Sequence, residues 1–257
     1  MHLPSTQEGR YSQSLERGLA ILRAFTPERP WMGIAEIAKE LEMSRPTTHR
    51  YASTLVALNY LEQGPGRKYR LGMRAGDPGR SAVASTPARL VPHRLLCELR
   101  DRSGCTASIA VLDAEEIVYV DRARSAWQGE TEVDARLGRG SRLRASETAL
   151  GRVLLAGLPV SQREQALGGS TEPGELDKLV GELERIRRKG VAIADQVRVN
   201  GQLCVAAPVL SKGDETIAAV DVAAAKTRFS SAQARARLAP LVVECAELMS
   251  AQLLPSR

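Results

Sequence analysis

Arg45, Thr47, His49 and Arg50 follow Ser44 within one short stretch, and Arg67, Lys68 and Arg70 crowd a second. Guanidinium and ammonium groups neutralise phosphates, and Thr, His and Arg side chains hydrogen-bond base edges. The combination fits a nucleic-acid backbone gripped and its bases read. A third place of chemical interest is Asp221, set between Val220 and Val222 in an apolar run. A carboxylate there is costly to bury without a partner. Arg122 and Arg142 are the candidates, either to pair with it for structural reasons or to clamp an acidic ligand.

The first two groups need a scaffold, and the flanking sequence supplies one. After a polar arm, Ser14 is the expected cap of a first helix whose apolar positions Leu15, Leu19, Ile21, Leu22 and Phe25 fall largely on one face. A second helix, Ile34 to Leu41, repeats Ile34, Ile37, Ala38 and Leu41 at helical spacing. Glu42-Met43-Ser44 makes a tight turn. Ser44 then caps a third helix, Arg45 to Leu58, with Pro46 in its first turn, where a missing N–H costs nothing. Its buried side carries Thr48, Tyr51, Ala52 and Leu55. From Tyr60 the pattern becomes extended, turns at Gly64-Pro65-Gly66 and returns through Lys68 to Leu71, which reads as a hairpin. Helix, tight turn, helix and basic hairpin is the layout of a winged helix-turn-helix, with one helix in the major groove and the wing on the backbone. The same three helices also serve protein contact, with the basic residues as a solvated face.

Residues 72–92 hold Gly72, Gly76, Pro78, Gly79, Pro87 and Pro92, a density of breakers that suits a linker better than a core element. The boundaries expected are therefore 12–72 for the winged helix, 73–92 for the linker and 93–257 for a second domain. In the latter a helical stretch near Leu95 leads into a hairpin of Thr106 to Leu112 and Ile117 to Asp121. Helical spacing returns at Leu150 and from Leu176 to Ile186. Two apolar strands follow, Leu203 to Leu210 and Thr216 to Ala224, then a helix from Ser230 that Pro240 should kink or interrupt. The fold class is α+β.

Totals narrow the options. The chain has 257 residues, a net charge of +6 and a pI near 9.4. Residues 1–74 hold 11 Lys and Arg against 7 Asp and Glu, so most of the excess lies in less than a third of the chain. The four cysteines form no CxxC and only three histidines occur, so no metal and no cofactor is expected. No run approaches a membrane span and the N-terminus lacks a signal-peptide layout, which points to the cytoplasm and to no membrane partner.

At this point the chain resembles the IclR family of regulators, from about Ser14 to Leu253. The stretches SLERGLAILRAF, GIAEIAKELEMSRPTTHRYASTLVALNYLEQ and KYRLG carry the first part of the likeness, and SIAVLDAEEIVYVDRARS the second. RLRASETALGRVLLAGLP, LERIRRKGVA, LCVAAPVL and TIAAVDVAA carry the third. The resemblance implies a winged-helix reader joined to a GAF-like effector-binding domain, working as a homodimer or homotetramer on double-stranded operator DNA. Within the family the likeness is closer to members that control aromatic-acid breakdown by the protocatechuate and β-ketoadipate routes. Carried over to this chain, the effector pocket is lined by Ala149, Leu150, Asp195, Cys204, Asp221 and Ala223. Two departures stand out. Relatives often have Ser or Asn on the last strand where this chain has Asp221 and Ala223. Their linker is commonly a continuous helix, whereas this one reads Arg74-Ala75-Gly76-Asp77-Pro78-Gly79.

The function expected is that of a sequence-specific transcription regulator answering to a small metabolite, a carboxylate or aromatic acid. Ser44, Arg45, Thr47, His49, Arg50, Arg67, Lys68 and Arg70 are the expected DNA contacts. A constitutive regulator that has lost its effector is an alternative kept open by Asp221 and Ala223. An enzyme with an accessory helix-turn-helix has little support, for the second domain has one histidine, His93, no Gly-x-Ser-x-Gly and no phosphate loop, so no catalytic residue is named.

Overall fold

The computed structural model describes residues 11–86, 88, 91–125, 137–167, 173–195 and 202–253. Its contacts divide the chain into two units, Met1–Ala82 and Val83–Arg257.

In the first unit, α1 (Gln13–Arg23) starts from Ser12, whose extended backbone lets its side chain accept from the Leu15 amide at 3.3 Å. Ser14, the expected cap, is instead one residue inside the helix, and its Oγ accepts from the Tyr51 hydroxyl at 3.1 Å. The apolar positions of α1 also divide. Ile21 and Phe25 enter the core, while Leu15 and Leu19 are 63% and 52% exposed. At about 100° per residue the two pairs point to different sides of the helix, so one face could not bury all five. A short strand, β1 (Met32–Gly33), leads into α2 (Ile34–Glu40). The tight turn then delivers α3 (Arg45–Ala57), capped by Ser44 and with Pro46 in its first turn. β2 (Leu61–Gln63) and β3 (Lys68–Leu71) form the hairpin, and β1 adds to β3 as a third antiparallel strand. Ile21, Met32, Ile37, Ala52, Leu61 and Tyr69 close one apolar cluster beneath α3 and the hairpin. Each large side chain buried there contributes roughly 1.5–3 kcal/mol relative to exposure.

The first part of the breaker-rich stretch is helical. Met73–Gly76 forms a 3-10 turn and α4 (Asp77–Ser85) follows directly. Pro78 falls in the first turn, where it is tolerated, and Arg80 pairs with Asp77 across it. Gly76 and Gly79 lower helix propensity but do not forbid a helix.

The second unit is built on a six-stranded antiparallel sheet in the order β6-β5-β4-β9-β8-β7. The strands are β4 (Thr106–Asp113), β5 (Glu116–Ala123), β6 (Arg142–Arg144), β7 (Ala192–Asp195), β8 (Gln202–Leu210) and β9 (Thr216–Ala225). Side chains alternate between the two faces, and each face carries its own core. On one, Ile109, Val120, Leu203, Val205, Val220 and Val222 meet α5 (His93–Ser103) and α9 (Ala239–Gln252). On the other, Ala110, Tyr119, Cys204, Ala206 and Ala219 meet α6 (Ala149–Gly157) and α8 (Pro173–Lys189), which flank α7 (Val160–Leu167) in sequence. Ser230 and Gln233 close the expected capping box ahead of the last helix. A π-turn, Ala234–Leu238, then resets the helical register so that Pro240 falls in the first turn of α9.

α6 is fixed at both ends. The Thr148 side chain accepts from the Gly151 amide at 2.9 Å. At the other end Arg163, only 5% exposed, donates to the Ala156 and Leu158 carbonyls, each at 3.0 Å. These are carbonyls that a helix end leaves without intrahelical donors, and a cation is favoured there. Arg163→Ala is expected to cost about 3 kcal/mol, since it strips two charge-assisted hydrogen bonds from a buried helix end. Urea unfolding of the full chain, compared with the wild type, measures it.

Candidate DNA-reading and effector-binding surfaces

The N-terminal end of α3 is built by hydroxyls. Ser44 Oγ accepts from the Thr47 amide at 3.3 Å and donates to Thr47 Oγ1 at 2.8 Å, so both expected contacts first serve to close the helix start. Thr48 is buried, with its hydroxyl on the Ser44 carbonyl at 3.0 Å. Burying Thr48 and Ala52 turns the opposite side of α3 outward: Arg45, Pro46, His49, Arg50 and Ser53 are all exposed. Ser53 and Pro46 are not among the expected contacts, although Ser53 follows His49 by four and so shares its face. Arg50 lies 5.6 Å from the Tyr51 ring centroid. The Tyr51 hydroxyl is held below the usual phenol range, first by its bond to Ser14 and then by Arg17 and Arg50.

The wing divides its charges. Arg67 stands at the tip with a φ of 56°, next to Gly66 at 68°, and Lys68 follows it, exposed. Neither forms an ion pair among the described residues. Arg70 is differently placed, with a salt bridge to Glu62 at 2.6 Å and its guanidinium 5.1 Å from the Trp31 ring centroid. The same ring lies over Gly64, where an added Cβ would fall 2.5 Å from it. Arg70 therefore braces the wing against Trp31, and Arg67 and Lys68 present the unpaired charge.

In the second unit, strand register gathers the residues expected at the effector site. One row across the sheet runs Thr106–Ala223–Cys204–Ala194, and the neighbouring row runs Arg122–Ser108–Asp221–Ala206–Ala192. Cys204 shares its apolar cluster with Ala149 and Leu150 at the start of α6, and Ala223 is half-buried against it. Ala149, Leu150, Cys204, Asp221 and Ala223 are thus brought to one face. Asp195 ends β7 paired with Leu203, a residue of the opposite core, so the register does not bring it to this face; its side chain lies outside the described residues.

Asp221 is 2% exposed, with Ser108 as its cross-strand neighbour. Arg122 reaches that serine, Nε to Oγ at 3.1 Å, and also donates to the Leu137 carbonyl at 2.7 Å. Arg142, the other expected partner of Asp221, is not near it. It lies on β6, three strands from β9, and bonds Asp113 and Glu116 at the β4–β5 turn. A β6 edge strand could not be read from three residues, and its pairing with β5 decides where Arg142 goes. Thr106, Ser108, Thr148 and Gln202 are further buried polar residues of this unit that sequence reasoning missed. They sit in runs that read as plain apolar strand or helix start.

Other chemistry is sparse. Burial raises the Cys105 thiol and pushes that of Cys245 up to about 12, as befits core residues. Among the described residues no group of His, Cys, Asp and Glu could hold a metal ion, and no helix is long and apolar enough to cross a membrane.

A helix-turn-helix with a cationic outer face and a basic wing, joined to a two-faced sheet with polar groups in its interior, defines a DNA-binding regulator with a sensory domain. Residues 14–65 match the IclR helix-turn-helix domain, and residues 80–251 match the bacterial transcriptional regulator IclR C-terminal domain. The chain is 31% identical over 229 residues to the HTH-type transcriptional regulator XynR of Escherichia coli, covering 86% of this chain and 89% of that protein. It is 25% identical over 255 residues to the Pca regulon regulatory protein of Pseudomonas putida, covering 96% and 86%. An IclR homologue from Microbacterium hydrocarbonoxydans, solved in complex with 4-hydroxybenzoate, shares the fold, with a TM-score of 0.78, 23% identity and coverage of 95% and 100%. The chain belongs to the IclR family of transcriptional regulators.

Proposed function

We propose that this regulator works as a cytoplasmic homodimer, or a pair of dimers, without enzymatic activity of its own. α3 enters the major groove, and Arg67 and Lys68 on the wing hold the phosphate backbone. Ser44, Arg45, Thr47, His49, Arg50 and Arg70 complete the DNA-facing set, with Arg70 acting mainly through the wing's shape. The observation that carries the reading is the exposed Arg45–His49–Arg50 face of a helix whose other side is locked into the core. The linker, within 73–92, passes the state of the second domain, 93–257, to the reading head, 12–72.

The effector in this reading is a small carboxylate or aromatic acid bound among Ala149, Leu150, Cys204, Asp221 and Ala223. The 4-hydroxybenzoate held by the Microbacterium homologue supports that class. The start of α6 suits the acid group, since the first amides of a helix favour an anion.

A gel-shift titration on the DNA upstream of the protein's own operon tests the DNA half. Wild type is expected to prefer that DNA to random duplex. Arg50→Ala is expected to weaken specific binding roughly 10- to 100-fold, the scale of one lost base contact. Wild-type binding no tighter than to random duplex overturns the reading.

A further inference from the structure

Gln202 opens β8 and is 5% exposed, and among the described residues its Oε1 has no hydrogen-bond partner. A buried amide left this way is a standing cost to the fold, because water satisfies it in the unfolded chain and nothing replaces water in the folded one. Its place is telling. Alternation along β8 sets Gln202 on the same face as Cys204 and Ala206, two of the residues that share a cluster with Ala149 and Leu150 at the start of α6. Gln202 precedes Cys204 along that face by about 7 Å, the repeat of an extended strand. Around it the register provides small side chains: Ala225 directly opposite, and the Ala223–Cys204 pair next along. Small side chains crowd a ligand least, and a polar group set among them gives its binding direction.

We infer that Gln202 is a specificity-determining contact of the effector site, selecting carboxylic acids that also carry a hydroxyl group. The inference rests on the effector reading given above. The acid group belongs at the first amides of α6, which donate and cannot accept. The group at Gln202 must satisfy an amide whose oxygen and nitrogen can exchange places by a flip of the side chain. A hydroxyl does this in either orientation, since it donates to the oxygen or accepts from the nitrogen. A bare hydrocarbon end would leave the amide as it is in the free protein, and a second carboxylate would satisfy only the nitrogen. The cost carried by Gln202 is thus relieved by hydroxylated acids and not by their plain counterparts, and that difference is discrimination.

The test uses the full chain, as wild type, Gln202→Met and Gln202→Leu, in thermal unfolding with and without ligand. Without ligand, at least one of the two apolar variants is expected to melt above wild type by about 2–4 °C, because it removes an unsatisfied buried amide. With matched probes, 4-hydroxybenzoate against benzoate and 3-hydroxybutyrate against butyrate, wild type is expected to be stabilised more by the hydroxylated member of at least one pair. That preference is expected to fall roughly tenfold in affinity terms in the variants. If both variants melt below wild type without ligand, Gln202 is a structural residue and the inference fails. If wild type binds a probe and the variants keep the same preference, the inference fails while the effector reading stands. If no probe shifts wild type, the reading of a small carboxylic acid as effector fails, and this inference with it.

Discussion

Gly151→Ala is expected to lower the melting temperature of the sensory domain by roughly 10 °C while leaving the winged helix folded. A Cβ at position 151 would lie 2.1 Å from the Ala145 carbonyl oxygen and 2.3 Å from the Ala145 Cα. Both are backbone atoms of the 3-10 turn Ala145–Glu147, so no rotamer change makes room. The turn is held in its own right, since the Ala145 amide bonds the Glu115 carbonyl at 2.9 Å. Either α6 lifts from the sheet or the turn detaches from the β4–β5 connection. Forcing atoms into a filled core costs 1–3 kcal/mol in ordinary cases, and a backbone clash belongs at the upper end, about 3 kcal/mol. For a domain of this size each kcal/mol is worth about 2–4 °C. The functional consequence follows from place. Gly151 receives the Thr148 cap, and Ala149 and Leu150 precede it, so effector binding should be lost with the helix start. Differential scanning calorimetry gives the shift, and a gel shift on operator DNA reports whether the reading head survives. A melting temperature within a degree or two of wild type would refute the packing argument.

The second large effect concerns α1. Tyr11, Leu15 and Leu19 recur every four residues and stand 49%, 63% and 52% exposed. Leu15 and Leu19 form an apolar stripe along a helix whose other side is buried, with Tyr11 just ahead of the helix and Gly18 beside the stripe offering open space. Glu16 and Arg23 lie along one side of the stripe, seven residues apart, so a second copy running antiparallel would set the acid of each against the base of the other. In the proposed dimer this stripe joins the two reading heads. Leu15→Glu with Leu19→Glu is expected to dissociate the heads and to weaken operator binding at least about 100-fold, since a single head loses the second half-site. Sedimentation velocity and gel shift measure the two consequences. The double variant should leave the fold of each single head nearly unchanged, because within one chain both side chains are solvated. A variant that remains dimeric and binds operator as tightly as wild type would place the dimer contact elsewhere.

Local chemistry made the reading head legible. Ser44 as a cap, Pro46 in the first turn, the repeat of Thr48, Ala52 and Leu55, and the glycines at 64 and 66 each constrain the backbone within a few residues. α3 and the wing therefore form where their sequence says. The same local rules misplaced the cap of α1 by two residues and under-called α4. Ser12 and Ser14 are equally good caps by type, and a proline reads as a breaker until its place in the first turn is known.

What no local rule decides is which distant residues meet. Ser108 and Asp221 are neighbours only because β4 and β9 pair in one register, and a slip of one residue would turn Asp221 to the opposite core. Likewise Arg70 is bound to Glu62 and Trp31, Arg142 to Asp113 and Glu116, and the Gln202 Oε1 is left without a hydrogen-bond partner among the described residues, all by packing. Local sequence sets α3, the wing, most of the other helices and the family likeness they carry, because backbone preference and apolar period act over a few residues. Which face of α1 stays open and which polar groups share the interior beside α6 come from packing, because burial and strand register are settled between residues far apart in the chain.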